Sequence, residues 1–586
     1  MEKIYKSLKK NKMLLMIILI GAILRFCRLS DIPYGFDGDE AAFGYYGYSL
    51  LKNLTDEFGN KLPLYFPSIG DYKYPVYAYL TTLPVAVFGL SVFSTRFISA
   101  FSGTILVAVI YLLAALLFKP KPIKYVAAFL TAISPYGIIF SRGAYESNLA
   151  TLWVSLGILM IVFFSELKKS KFLFFSFIFF ILSTFTYSAT RIFIPTLVVG
   201  YGLVIVKNTN FKLREKRNYL FFCVILILTI SIAFIDQRSR ARAADVSIIN
   251  NYKISEDVRD AIWEDGISQS GNIFITRVFH NKVIAHSRYF LEGYLNHFDS
   301  NYLFTTSNPQ MFKYSVPGMG LFYYFEMVTI VLGIVALSKY LSRKITYILV
   351  MWIILAPIPS ALTVETPNPI RTLIGLPALI ILSSLGAVYF IELFRNKLSK
   401  AMATVVLGFI VVLNFLYFQH QYFIHDKFHR PWYTDGGMKE MILSVNKYEG
   451  SFEKIAIAND PYIFFLFYNK VHPNDFISKS KIDEIRVGKW EYVDEFEKIV
   501  FKMPFICPKI GRTDVLYVCT GTEVPLNGEV LEVVRFSDGV PAYTLIRFVP
   551  YSARKNEALP EGLNYMVETD LSFDEGLLPI KGGRYW

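Results

Sequence analysis

Three carboxylates crowd one short segment of the chain: Asp37, Asp39 and Glu40 in PYGFDGDEAAFGYYGYSLLKN. A carboxylate cluster can cap a helix, hold a cation, or take the proton from a hydroxyl that is to become a nucleophile. Tyr45, Tyr46 and Tyr48 follow on what reads as a helix, so part of the cluster caps it. A cap alone does not need three acids. Further on, GDYKYPVYAYL places Lys73 between Tyr72 and Tyr74. An ammonium there can reach lipid headgroups or bind a ligand phosphate. SPYGIIFSRGAYESN supplies Arg142 and Glu146, TYSATRIFIP supplies Tyr187 and Arg191, and TVETPNPIRTL supplies Glu365 and Arg371. Lysine and arginine suit an anionic leaving group, and a carboxylate suits removal of a hydroxyl proton.

These residues act together only if the intervening elements bring them to one place. The chain has 586 residues, 54% of them hydrophobic and 18% charged. Its mean hydropathy of +0.40 is that of a membrane protein with a soluble part attached. Apolar runs near the ~20 residues that span a bilayer recur at about 12–30, 93–118, 123–141, 148–165, 172–188, 190–206, 219–235, 317–338, 345–363, 370–393 and 401–420. The stretch 75–89 is short, contains Pro84, and reads as a helix lying in the interface.

The charge pattern orders these runs. Basic groups occur at Lys3, Lys6, Lys9, Lys10 and Lys12, then at 119–124, 168–171, 207–217, 339–344 and 395–400. All share one side if there are about eleven spans and 75–89 does not cross; by the positive-inside rule that side is cytoplasmic. The expectation is a multi-pass cell-membrane protein with a cytoplasmic N-terminus. A membrane unit covers 1–420, with outer loops at 31–92 and 236–316, and an extracytoplasmic α/β domain covers 421–586. Asp37, Asp39, Glu40, Lys73, Arg142, Glu146, Tyr187, Arg191 and Arg371 then all face the outer interface.

The net charge of +13 lies in short loops between apolar runs, which reads as topology and not as a nucleic-acid surface. Charges gathered at one interface, without internal repeats, also argue against a transporter. Asp37-Gly38-Asp39 spells the Asp-x-Asp with which soluble nucleotide-sugar transferases hold a metal, but on the outer side no nucleotide sugar is expected. His280, His286 and His297 match no metal spacing. No cofactor is required, and a divalent metal is possible without being indicated. Cys507 and Cys519 lie in the outer tail, where a disulfide and two thiols are both open.

The Asp-Glu pair after the first span, Gly-Asp-Tyr-Lys-Tyr-Pro, Phe-Ser-Arg-Gly-Ala-Tyr-Glu and Pro-Ile-Arg together resemble the lipid-linked-sugar glycosyltransferases of the GT-C fold. The group most similar is glycosyltransferase family 39, the protein O-mannosyltransferases and the aminoarabinose transferase of lipid A. The resemblance implies inverting transfer of a sugar, mannose or similar, from a polyprenyl-phosphate donor to a hydroxyl acceptor. The acceptor is left open between protein, glycolipid and polysaccharide; membrane lipids are the other partner. By position it makes Asp39 the base, Glu40 its partner, Glu146 a second acid and Lys73 the phosphate ligand. Arg142, Arg191 and Arg371 become candidates to stabilise the leaving phosphate, and Tyr72, Tyr187 and Asp37 to line the donor or acceptor pocket. Glu146 stands where relatives often carry aspartate, and Asn368 where several carry histidine.

Overall fold

A computed structural model describes residues 11–566, apart from 69–70, 236–239, 241–243, 245, 269–272, 309–310, 342, 459–460, 484–491, 504–506 and 551–558. Lys3, Lys6, Lys9 and Lys10 lie outside the described residues. Helices form at every predicted apolar run. Among the described residues six are long and apolar enough to cross a membrane alone: Val92–Leu117, Glu146–Leu167, Thr190–Lys207, Lys344–Ala361, Pro369–Glu392 and Lys397–Phe428. A seventh is the pair Lys121–Ile133 and Pro135–Arg142, bent by 47°. This falls short of eleven for a simple reason. Lys12–Phe26, Lys171–Thr184 and Tyr324–Leu337 have 14 or 15 residues, and Leu213–Ile232 opens on the charged turn LREKR. At 1.5 Å per residue, 15 residues reach only about 22 Å.

The bend has a local cause. Pro135 lacks an N–H and interrupts the helix ladder, freeing carbonyls of the preceding turn. The buried Arg25 guanidinium donates to Thr131 O at 3.0 Å and Ala132 O at 2.9 Å, satisfying them.

The described basic loops meet at one end of the bundle. Arg343 Nη1 donates to Leu117 O at 2.7 Å and Nη2 pairs with Glu166 at 3.4 Å. Lys168 sits 3.0 Å over the Phe211 ring, Lys339 lies over Tyr389, and Asn11 donates to Tyr111 and Tyr125. The helix Pro75–Phe88 is 14 residues long and starts at the opposite end, where Val76 N donates to Phe185 O.

The tail builds a seven-stranded mixed sheet in the order 480–483, 492–496, 499–503, 454–458, 515–520, 541–548, 528–535. Its central strand Lys454–Ala458 runs parallel to both neighbours. The run Tyr462–Tyr468 is a helix, with 462–467 all buried. It packs on the helix Gly38–Asn53, placing the Phe36 and Phe467 rings 4.7 Å apart. The apolar core of the tail therefore continues into the first loop, with Tyr45, Tyr46, Ile455 and Phe465 in one cluster.

Candidate active site

The acidic segment folds as the start of a helix because its own side chains satisfy the free N–H groups there. Asp37 caps Gly38–Asn53: Glu40 N donates to Asp37 Oδ1 at 3.1 Å, and Asp37 N donates back to Glu40 Oε2 at 3.4 Å. Asp39 and Glu40 occupy the first turn, where the helix dipole favours negative charge. Gly35 feeds the chain into this turn at φ +79, and a Cβ there would stand 2.1 Å from Thr434 O. Only glycine meets both demands.

Lys73 comes to this turn on a hairpin. Strands Phe66–Ser68 and Asp71–Lys73 pair antiparallel with Phe66 opposite Lys73, and the Phe66 ring stacks 4.8 Å from Tyr46 of the acidic helix. Tyr74 is the next N-cap, with Pro75 at the first helical position. The Lys73 ammonium thus lies 2.9 Å from Asp39 Oδ1. Its side chain is 5% exposed, whereas that of Asp39 is 50% exposed. Lysine is held beneath the surface and the carboxylate opens to solvent.

Glu40 behaves differently. Arg96 grips it with two hydrogen bonds, Nε to Oε1 at 2.9 Å and Nη2 to Oε2 at 2.8 Å. Ala144 N adds a third at 2.7 Å. The pair is buried, and the remaining Arg96 donors go to the carbonyls of Leu29, Pro33 and Gly35. Glu40, expected beside Asp39 as a catalytic partner, joins four chain segments through protein donors, and with Arg96 it also lines a cavity. Arg142 also departs from its expected place among the phosphate ligands. Fully buried, it donates to the carbonyls of Leu24, Cys27, Arg28 and Ile32, where the helix Lys12–Phe26 ends and its carbonyls lack helical partners.

The other expected residues divide. Arg191 lies 4.2 Å over the Tyr74 ring and donates to Thr184 O, which brings it to the Lys73 loop. Tyr72 pairs with Pro67 in the hairpin. Glu146 opens the helix Glu146–Leu167 and is buried. Tyr187 packs with Ala150, Ala189 and Ile370. Arg371 is held in its own loop by Glu365 at 3.2 Å and Thr363 at 2.8 Å.

Two participants carried no motif. Lys313, from the loop after the helix Lys282–Asn296, pairs with Asp37 Oδ2 at 2.9 Å. Burial is the largest single influence and lowers its pKa, but Asp37 together with Tyr314, Asp39 and Tyr145 outweighs it and holds the ammonium well above the ordinary lysine value. Asp435, from the tail, accepts from Gly38 N at 3.3 Å, and burial pushes its carboxyl up to about 7. Beside these pairs opens a cavity of about 250 Å³, lined by Tyr34, Asp37, Tyr145, Lys313, His429 and Tyr433 among others. Arg96 could have been suspected from sequence, as a basic residue at the start of an apolar run. Lys313 and Asp435 gave no local signal.

The histidines of the second loop are engaged within it: His280 faces Asp265 at 3.1 Å, and the Nδ1 atoms of His286 and His297 meet the carbonyls of Lys282 and Gly293. Among the described residues no group of three or more His, Cys, Asp or Glu could hold a metal. Cys507 and Cys519 form a disulfide.

No protein of curated function matches the chain. Among solved structures, the apo oligosaccharyltransferase of Archaeoglobus fulgidus aligns at 15% identity and TM-score 0.49, over 79% of this chain and 64% of that one. This chain therefore spans under two thirds of that protein's length. ArnT from Cupriavidus metallidurans, bound to undecaprenyl phosphate, aligns at 11% identity and TM-score 0.49, over 92% and 99%. Residues 72–234 match the family model described as dolichyl-phosphate-mannose-protein mannosyltransferase. That segment starts at the Lys73 hairpin strand and includes Arg142, Glu146, Tyr187 and Arg191, while the acidic cluster lies just before it. The resemblance read from the motifs, to GT-C fold glycosyltransferases of family 39, is thus matched over residues 72–234 by the family of protein mannosyltransferases.

Proposed function

We propose that this chain transfers a sugar from a polyprenyl-phosphate donor to a hydroxyl acceptor, with Asp39 as general base and Lys73 as the ligand of the donor phosphate. The observation that carries the reading is the Asp39–Lys73 pair, an open carboxylate 2.9 Å from a buried ammonium. At rest each neutralises the other. A donor phosphate that engages Lys73 draws the ammonium's charge away from Asp39 and raises its affinity for a proton, so base activation follows donor binding. The acceptor O–H proton passes to Asp39, the acceptor oxygen bonds to the anomeric carbon, and the C–O bond to phosphate breaks with its electron pair on the departing polyprenyl phosphate. Attack opposite the leaving group inverts the anomeric centre. Lys73, with Arg191 at the same loop, meets the charge that builds on the phosphate, and the scheme needs no metal.

On this reading the acidic end of the bundle faces outward and the basic loops face the cytoplasm, with about eleven passes between them. The basic residues gathered at one end support that orientation, as does the Cys507–Cys519 disulfide in the tail, which suits an oxidising side. The experiment is transfer from polyprenyl-phosphate-mannose into a membrane-extract acceptor pool by purified wild type, Asp39→Asn and Lys73→Ala, with donor binding measured in parallel. Transfer lost in Asp39→Asn with donor binding kept supports the assignment. Equal transfer in both proteins overturns Asp39 as the base. Whether label enters protein or glycolipid then defines the acceptor.

A further inference from the structure

We infer that the helices Ile273–Phe279 and Lys282–Asn296 dock on a bilayer surface, with their apolar faces among acyl chains and their basic residues on lipid headgroup phosphates. The first observation is exposure. Ile273, Phe274, Ile275, Val278 and Phe279 are all exposed, and the helix that carries them buries no residue. In the next helix Val283, Ile284, Leu291 and Leu295 are exposed as well. At about 100° per residue these four fall on one face of Lys282–Asn296.

The second observation is what covers the other face. Tyr289 OH donates to Asp257 of the helix Tyr252–Ser268, and Gly293 approaches Thr366 closely. Both positions lie across the helix from Ile284 and Leu291. The side with Tyr289 and Gly293 meets protein, while the exposed remainder carries these four apolar residues together with Ser287, Arg288 and Glu292.

Charge and location commit the occupant. Tyr252–Ser268 carries five acids and two bases, whereas 273–296 carries Arg277, Lys282 and Arg288 against the single acid Glu292. The acidic helix shields the face turned away from the lipid, and the basic pair of helices has the sign that anionic headgroups attract. Tyr294 OH donates to Ile354 O at 2.9 Å, which seats Lys282–Asn296 against the candidate span Lys344–Ala361. Ile354 and Val364 are themselves exposed there, so the open apolar face continues the lipid-facing surface of the bundle. From its last residue the chain runs on to Lys313, which holds Asp37. A lipid-seated loop thus fixes one partner of the acidic cluster.

The test places nitroxide labels at Phe274→Cys, Leu291→Cys and, as a reference on the acidic helix, Glu256→Cys. The background is the full-length chain with Cys27→Ala and Cys223→Ala, reconstituted in vesicles of phosphatidylcholine with phosphatidylglycerol. The expected result is that oxygen reaches labels 274 and 291 more readily than a water-soluble nickel chelate does, with the order reversed at 256. Arg277→Glu with Arg288→Glu is expected to raise nickel access at 291 several-fold. Nickel access at 274 and 291 equal to that at 256 overturns the inference, and dipolar broadening between labels at 291 would instead identify a second copy as the occupant. A label that stays buried after charge reversal overturns the headgroup contact. No readout requires sugar transfer, so this inference and the proposed activity fail separately.

Discussion

Adjacent residues of one helix form two ion pairs of nearly equal length, Asp39 with Lys73 at 2.9 Å and Glu40 with Arg96 at 2.8 Å. One helical step separates them by about 100°, enough to turn Asp39 to solvent and Glu40 into the packing. Around Glu40 both oxygens and most of the guanidinium donors are used within the protein. Around Asp39 half the side-chain surface remains open. Two ion pairs of like distance and residue type thus differ in how much of the carboxylate stays exposed to solvent. In Arg142 the two Nη groups of the buried guanidinium donate to backbone carbonyls.

The comparison breaks most directly at Asp39. Asp39→Asn is expected to lower kcat/KM about 10³-fold, about 4 kcal/mol of transition-state stabilisation, with little change in thermal midpoint. Parallel transfer assays and thermal unfolding in detergent read both quantities. Glu40→Gln should do the reverse. It strands the Arg96 charge in a buried site, and losing one partner of such a pair costs about 3–5 kcal/mol, so the midpoint falls steeply. Arg96→Met is expected to fall alongside it. Lys73→Ala should weaken donor binding about 10- to 100-fold in a direct binding assay, the scale of one charged hydrogen bond. It should barely move stability, because Asp39 remains hydrated.

At the boundary between tail and acidic helix the expected effect is a dependence of stability on pH. Folded Asp435 has its carboxyl at about 7, above the unfolded value near 4, so the folded state holds the proton more tightly. Stability from this group is full below about pH 4 and is lost as pH rises to about 7, above which it stays level. Asp435→Asn should flatten that part of the midpoint-against-pH curve. An unchanged slope would mean that Asp435 ionises freely in the fold.

Much of the membrane part was legible because its signals are local. Apolar runs marked the places of the helices, and the clustered lysines marked loops that do meet at one end. The span lengths were less well read, since hydropathy passes smoothly over breaks such as Pro135 and over ends such as Leu337. In the tail, an apolar run like Tyr462–Tyr468 fits a buried helix or a buried strand equally, and packing made it a helix.

The sequence by itself determined a polytopic helical chain with its carboxylates at one end, together with the proximity of Asp37, Asp39 and Glu40. It also determined which residue types could bind phosphate. Only the tertiary structure decided which of them remain available. Arg96 lies 56 residues from Glu40, and Asp435 lies 397 residues from Gly38. Arg142 met the carbonyls at the end of the helix Lys12–Phe26, and Lys313 arrived at Asp37 from a loop with no motif. A charged side chain is assigned to structure or to chemistry by the partners that burial gives it, and those partners come from distant segments that local sequence does not encode.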